Sequence, residues 1–245
     1  MTDLHCHILP GLDDGSSSLE ESVEMAHIAL ESGVNTICTT PHFLCTDEEE
    51  GRVFLEASDA SFRALSEVID RRSLRLVPGA EVLFTESTPD LLRRGLVPTL
   101  GSSPYMLTEF YFDDTIGAME HGFEVISSFG LIPVIAHPER YNAVRSHPDA
   151  ISRWFSYGYI IQVNKGSIIG TFGETIATIA EDIISHGLCH IVASDAHAAD
   201  RRTTDMSIVK DALVQYCGAR YANILLNENP SRILGGLAPV PSGTK

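Results

Sequence analysis

Short apolar or β-branched runs alternate with amphipathic helical stretches along almost the whole chain, and this alternation restricts the fold more than any other feature. The opening "TDLHCHI", then "VNTICTT", "LRLVPGAEV", "SPYMLTEFYF", "LIPVIAHP", "YIIQVNKG" and "HIVASDAH" read as seven strands, each followed by a helix or loop. The first helix has clear punctuation: Ser18 with Glu21 reads as a capping box, and Gly33 as its stop. Repeated βα units imply an α/β fold with a parallel sheet. With 245 residues and no break in composition between halves, a closed or nearly closed barrel in one domain is favoured over a doubly wound sheet. Residues 1–238 are expected to form that domain, and 239–245 a flexible tail.

The residues that end these strands share a chemistry. His5 and His7 end the first strand, His42 follows the second, Glu81 ends the third, Glu109 the fourth and His137 the fifth, while Asp195 and His197 follow the seventh. In a βα barrel the C-terminal strand ends meet on one face, so residues distant in sequence converge there. Any one of them is more often a satisfied polar residue than a ligand, and His-x-His alone shows only that both rings share a side of the strand. Six of seven strands ending this way is the signal. His27, His121, His147, His186 and His190 fall on helix faces or just before a strand, and are expected to be solvated or capping. The clustered set exceeds what one ion needs, which suggests two or three. Nitrogen and oxygen donors without thiolate suit manganese, iron or zinc. Such ions would offset the acidity of the face and fit it for a phosphate.

Acids outnumber bases 33 to 17 and the net charge is −16, which argues against nucleic-acid binding. No apolar run reaches the roughly 18 residues of a membrane span, and "MTDLHCH" has neither a basic nor an apolar leader region, so a cytoplasmic protein is expected. Five scattered cysteines without a C-x-x-C pair suggest reduced thiols.

Taken in order, "DLHCHILPGLDDG", "TTPH", "PGAEV", "LTEF", "AHPERY", "QVNKGSIIG" and "SDAH" resemble the polymerase and histidinol phosphatase (PHP) family, and more closely its bacterial capsule and exopolysaccharide protein-tyrosine phosphatases. The resemblance spans residues 3–197. It implies a distorted seven-stranded (β/α)7 TIM-like barrel carrying a cluster of two or three divalent ions, manganese foremost, with iron, cobalt or zinc as alternatives. The implied ligands are His5, His7, Asp14 from the second Asp of "DDG", His42, Glu81, Glu109, His137, Asp195 and His197. Arg140 of "HPER" and one arginine of "AADRR", Arg202 by its offset with Arg201 as rival, would grip the phosphoryl group. A metal-bridging hydroxide would then attack phosphorus, with His42 a candidate acid for the leaving phenolate. Cys6 stands where small residues such as Ser are usual in the family.

The implied substrate is phosphotyrosine on the C-terminal tail of a bacterial tyrosine kinase that controls capsule or exopolysaccharide export. Thiol-based phosphatase chemistry needs Arg six positions after Cys, and those positions hold Leu12, Leu44, Gly51, Asp195 and Asn223. A small-molecule phosphatase such as one for histidinol phosphate shares the expected metal site, and a silent phosphotyrosine-binding regulator shares the fold. An amidohydrolase would want a strand-end lysine between its metals. Lys165 is the one nearby, and "VNKGS" reads better as a phosphate-side loop.

Overall fold

The computed structural model describes residues 1–240. Its strands are β1 (Thr2–Cys6), β2 (Thr36–Thr39), β3 (His42–Phe43), β4 (Arg75–Pro78), β5 (Glu81–Leu83), β6 (Tyr105–Glu109), β7 (Ile132–Ile135), β8 (Ile160–Asn164) and β9 (Ile191–Ala193). All pair in parallel, in the orders β1-β2-β4 and β3-β5-β6-β7-β8-β9. The result is a mixed α/β fold with a curved, half-barrel parallel sheet.

Seven expected strands are thus nine segments, because the second and third are each interrupted. Pro41, which has no N–H to give a ladder, separates β2 from β3. Gly79 separates β4 from β5, at a place so tight that a Cβ there would lie 2.9 Å from Cys38 Sγ. Pairing resumes when Glu81 N–H donates to Pro41 O at 3.1 Å. At the far end, the chain leaving β9 runs beside β1: Asp195 N–H donates to His5 O (2.8 Å) and His7 N–H to Ala196 O (2.9 Å).

Helices cover the outside of the sheet. Leu19–Glu31 starts where Ser18 Oγ accepts the Glu21 N–H at 3.2 Å, but the Glu21 carboxylate closes on Ser17, so only half of the expected capping box forms. Glu48–Val68 starts on Asp47. Gly218, at φ 82°, splits the helical segment Ser207–Asn223. Trp154, Tyr141 and Phe123 are fully buried, each such side chain contributing about 1.5–3 kcal/mol. Val240 donates its N–H to Asn229 Oδ1 at 2.6 Å, so the expected tail is still anchored at that residue. Residues 241–245 lie outside the described residues. Among the described residues, no helix is long and apolar enough to cross a membrane.

Candidate metal and phosphate centre

Alternation along β1 turns His5 and His7 into the mouth of the sheet while Leu4 and Cys6 pack into apolar clusters behind it. Gln162 Oε1 sits 3.1 Å from His5 Nδ1 and also accepts the His137 N–H at 3.2 Å, which makes it the acceptor end of the amide. His5 Nδ1 therefore carries a proton, and Nε2 is the nitrogen that can face an ion. The same holds for His7, whose Nδ1 faces Asp13 Oδ2 at 2.7 Å. The two Nε2 atoms are 3.1 Å apart, and Glu81 Oε2 lies 3.1 and 3.3 Å from them. Two lone pairs and a carboxylate oxygen repel unless a cation stands between them, so this donor set fits a divalent ion. Glu81 Oε2 and His137 Nδ1 are buried without a hydrogen-bond partner, which is the condition of atoms whose partner is an ion.

Three overlapping groups have ligand atoms within 4.8 Å of one another: His5, His7 and Glu81; His42, Glu81 and Glu109; and His7, Asp14, His42 and His197. Glu81 belongs to two of them, as a bridging carboxylate would. His42 also belongs to two, through different nitrogens: Nδ1 is 2.8 Å from Glu109 and 3.1 Å from Glu81, and Nε2 is 3.5 Å from Asp14. A neutral imidazole has one lone pair, so His42 can serve only one ion. Asp195 Oδ1 lies 3.5 Å from His5 Nε2, and His137 Nε2 lies 2.9 Å from Glu81 Oε1. All nine residues singled out as ligands meet in one basin.

The field in the basin is strongly negative without ions. Burial alone would depress His5, yet the Glu81 and Asp195 carboxylates raise it to about 10. Burial likewise opposes the charged form of His42, but hydrogen bonding to Glu109 and the charge of Glu81 raise it to about 9. Asp13 is pulled down to about 2, its burial outweighed by His7. Burial would raise Glu81, yet the imidazoles around it, His5 foremost, hold it well below its ordinary value. His197 is pushed down to about 4 by burial and by its neighbour His7. A site that attracts protons this strongly is one that divalent cations can occupy in their place.

Two arginines reach the same carboxylate. Arg202 Nη2 is 2.6 Å from Asp195 Oδ1 and Arg140 Nη1 is 3.2 Å from Asp195 Oδ2. Arg201 is exposed, on the side of Glu21. Among the described residues, His137 (φ 35°), Asp195 (φ 49°) and Arg202 (φ 46°) are the non-glycine residues in the left-handed region. Each such conformation costs of order 1–3 kcal/mol, and strain of this kind collects at functional sites.

Sequence reasoning passed over the residues that aim this set. Asp13, not only Asp14, matters in "DDG": it orients His7 and accepts the N–H groups of His42 and Gly15. Among the seven expected strands, the one without a candidate ligand, β8, supplies Gln162 to His5, and Asn164, which donates from Nδ2 to Asp195. Their i, i+2 spacing in "QVNKG" was the available signal. The Lys165 ammonium is buried and donates to the carbonyls of Thr203 and Asp205 (3.0 Å for the latter), so it fixes the segment after Arg202.

A family model described as capsular polysaccharide synthesis, CpsB/CapC, matches residues 1–235. The chain belongs to the CpsB/CapC family. Tyrosine-protein phosphatase YwqE of Bacillus subtilis is 36% identical over 205 residues, covering 82% of this chain and 79% of that protein. Tyrosine-protein phosphatase CpsB of Streptococcus pneumoniae is 31% identical over 244 residues, 96% of this chain and 98% of that one. A solved structure described under crystal structures of YwqE from Bacillus subtilis and CpsB from Streptococcus pneumoniae, unique metal-dependent tyrosine phosphatases, superposes with a TM-score of 0.85 at 31% identity over 100% of both chains. Similarity to this CpsB/CapC structure therefore extends over the whole parallel sheet and its mouth.

Proposed function

We propose that this chain is a cytoplasmic, metal-dependent protein-tyrosine phosphatase, acting on the C-terminal tail of a bacterial tyrosine kinase that regulates capsule or exopolysaccharide synthesis. The observation that carries the reading is the convergence of nine residues with nitrogen or oxygen donors, beside two arginines on Asp195. Two or three divalent ions, manganese foremost, would be held by His5, His7, Asp14, His42, Glu81, Glu109, His137, Asp195 and His197. When bound, the ions supply Lewis acidity and a water acidified to near neutral pH. We read the fold as a distorted seven-stranded barrel over residues 1–238, with β2–β3 and β4–β5 as single interrupted strands, a reading supported by the bridge between Cys6 and Ala196.

The chain's own groups account for the rest. Arg140 and Arg202 present planar donor forks that hold the phosphoryl oxygens and offset the charge gathering there. Asp195 orients both. His42 is a ligand first: a ring that ligates through Nε2 keeps its one proton on the side of Glu109, and the acid role falls to it only when unligated. The phenolate leaving group, of pKa about 10, departs without a strong acid.

The test measures hydrolysis of a phosphotyrosyl peptide against histidinol phosphate, with metal content determined on the same sample. Turnover of the peptide that disappears on exhaustive chelation and returns with manganese, iron or cobalt supports the proposal. Turnover in metal-free protein would refute it, histidinol phosphate outpacing the peptide a hundredfold would select the small-molecule phosphatase, and a metal-loaded protein that hydrolyses neither would select the silent binder.

A further inference from the structure

Phe112 lies at the mouth of the candidate centre and is 45% exposed, with its neighbour Tyr111 60% exposed. The Arg140 guanidinium carbon lies over its ring, 5.0 Å from the centroid, and over the Phe172 ring at 4.4 Å. Phe172 in turn needs Gly166: a Cβ there would come within 2.7 Å of its ring. Held by both rings, Arg140 reaches Asp195 at 3.2 Å, while nearly half of Phe112 stays open to solvent.

The exposed ring is held, not loose. The Phe112 carbonyl accepts the Asn142 N–H at 3.1 Å, and the Phe110 N–H donates to the Tyr141 hydroxyl at 3.1 Å, so the loop after β6 is tied to the segment bearing Arg140. The loop's acids are engaged elsewhere, Asp113 by the Asn142 amide and Asp114 by the Tyr111 N–H at 3.0 Å. A fixed apolar ring beside an arginine aimed at the centre is an arrangement ready for an aromatic leaving group.

We propose that Phe112, flanked by Tyr111, is the aryl-binding wall that makes the centre select phosphotyrosine over alkyl phosphates. The proposal rests on the phosphatase reading and deepens it. A phosphoryl group gripped by Arg140 and Arg202 places the ester oxygen at the mouth, and the tyrosine ring that follows it comes to lie against the open side of Phe112. A serine phosphate has no ring to place there. Phe172 acts only as a positioning residue, by holding Arg140 from behind.

The experiment compares inhibition of the metal-loaded enzyme by phenylphosphonate and by inorganic phosphate, with p-nitrophenyl phosphate as substrate. In the parent, phenylphosphonate should bind more tightly than phosphate. In Phe112→Ala the advantage of phenylphosphonate should fall by about threefold or more, the size of one aromatic contact, while the phosphate inhibition constant stays within about twofold, a shift of roughly 0.4 kcal/mol. Tyr157→Ala, which removes an exposed aromatic ahead of β8 at the opposite end of the strands, should leave both constants unchanged. A smaller fall, or equal weakening of both inhibitors, would overturn the aryl wall. A parent that hydrolyses no aryl phosphate would instead refute the phosphatase reading, so the two failures are distinct.

Discussion

Asp3 on β1 and Glu81 on β5 are both carboxylates sealed from solvent, and the protein treats them oppositely. Asp3, two residues below His5, accepts the Ser194 N–H at 2.9 Å, the Ser194 hydroxyl and the His5 N–H. Glu81, at the strand mouth, keeps one oxygen without a hydrogen-bond donor while imidazole nitrogens crowd it. Asp3 is completed by the fold. Glu81 is completed only by something the fold binds. The difference separates buried charge that builds the structure from buried charge that builds the site, a distinction that burial alone does not make.

The largest expected effect tests that division directly. Glu81→Gln removes the shared carboxylate and should lower kcat/KM by about a thousandfold or more, roughly 4 kcal/mol, with metal content falling alongside. Asp3→Ala orphans the Ser194 N–H and should lower the unfolding free energy by about 1–3 kcal/mol while the purified protein keeps its metal. Metal loss in Asp3→Ala, with metal retained in Glu81→Gln, would reverse the two roles.

Next come groups that serve the site from outside the ligand set. Arg140→Ala and Arg202→Ala should each reduce kcat/KM by about 2–4 kcal/mol at parental metal content. Arg201→Ala should change it little, because that side chain points to the solvent side near Glu21. Metal analysis beside kinetics separates loss of phosphate binding from loss of ions, and small equal effects in all three variants would remove the clamp.

The sequence made the mouth legible and left its supports hidden, for a physical reason. Candidate ligands such as His5, Glu109 and Asp195 recur at a periodic place, the strand end, so their pattern stands out from chance. Gln162, Asn164 and Asp13 are ordinary polar residues whose value lies in specific partners brought to them by tertiary packing. The place of Lys165 after β8 did not reveal its task, because burial turns its ammonium onto two carbonyls that are distant in sequence. The breaks between β2 and β3 and between β4 and β5 arise from one proline and one tight glycine, which interrupt pairing without altering the apolar pattern. His190 shows the same limit: expected to be solvated or capping, it is buried, stacked on Phe155 at 4.7 Å, and accepts the Ile161 N–H at Nδ1.

His190 offers a pH test on the structural side of the division. Burial pushes it from its ordinary 6.5 down to about 4, so the folded protein keeps it neutral while the unfolded chain binds a proton. Its contribution is therefore present above pH 6.5 and is lost as pH falls through 6.5 toward 4, by at most about 3 kcal/mol. His190→Asn keeps an acceptor for Ile161 without the titration. Denaturant melts between pH 4 and 7 should show a shallower pH dependence in the variant, and identical slopes would exclude His190 as a source of acid lability.

The smallest expected effect concerns the cysteines, and Cys6 places it on the comparison. Cys6 stands between two site histidines in sequence, but alternation turns its side chain away from them, into the apolar cluster with Ile8, Leu9 and Met25. Burial pushes its thiol well above the ordinary value, and nearby Asp3 adds to the shift, so a thiolate is disfavoured where a nucleophile would need one. Burial raises Cys38 and Cys189 as well, and Cys45 up to about 11. Replacing all five cysteines by Ser or Ala should thus keep kcat/KM within about tenfold, roughly 1.4 kcal/mol. Cys6→Ser is the sharpest member of the set, because it keeps a small polar side chain beside Ser194 and alters only the sulfur. A loss beyond about a thousandfold, some 4 kcal/mol, in Cys6→Ser with its metals in place would move Cys6 from the structural side of the division to the chemical one.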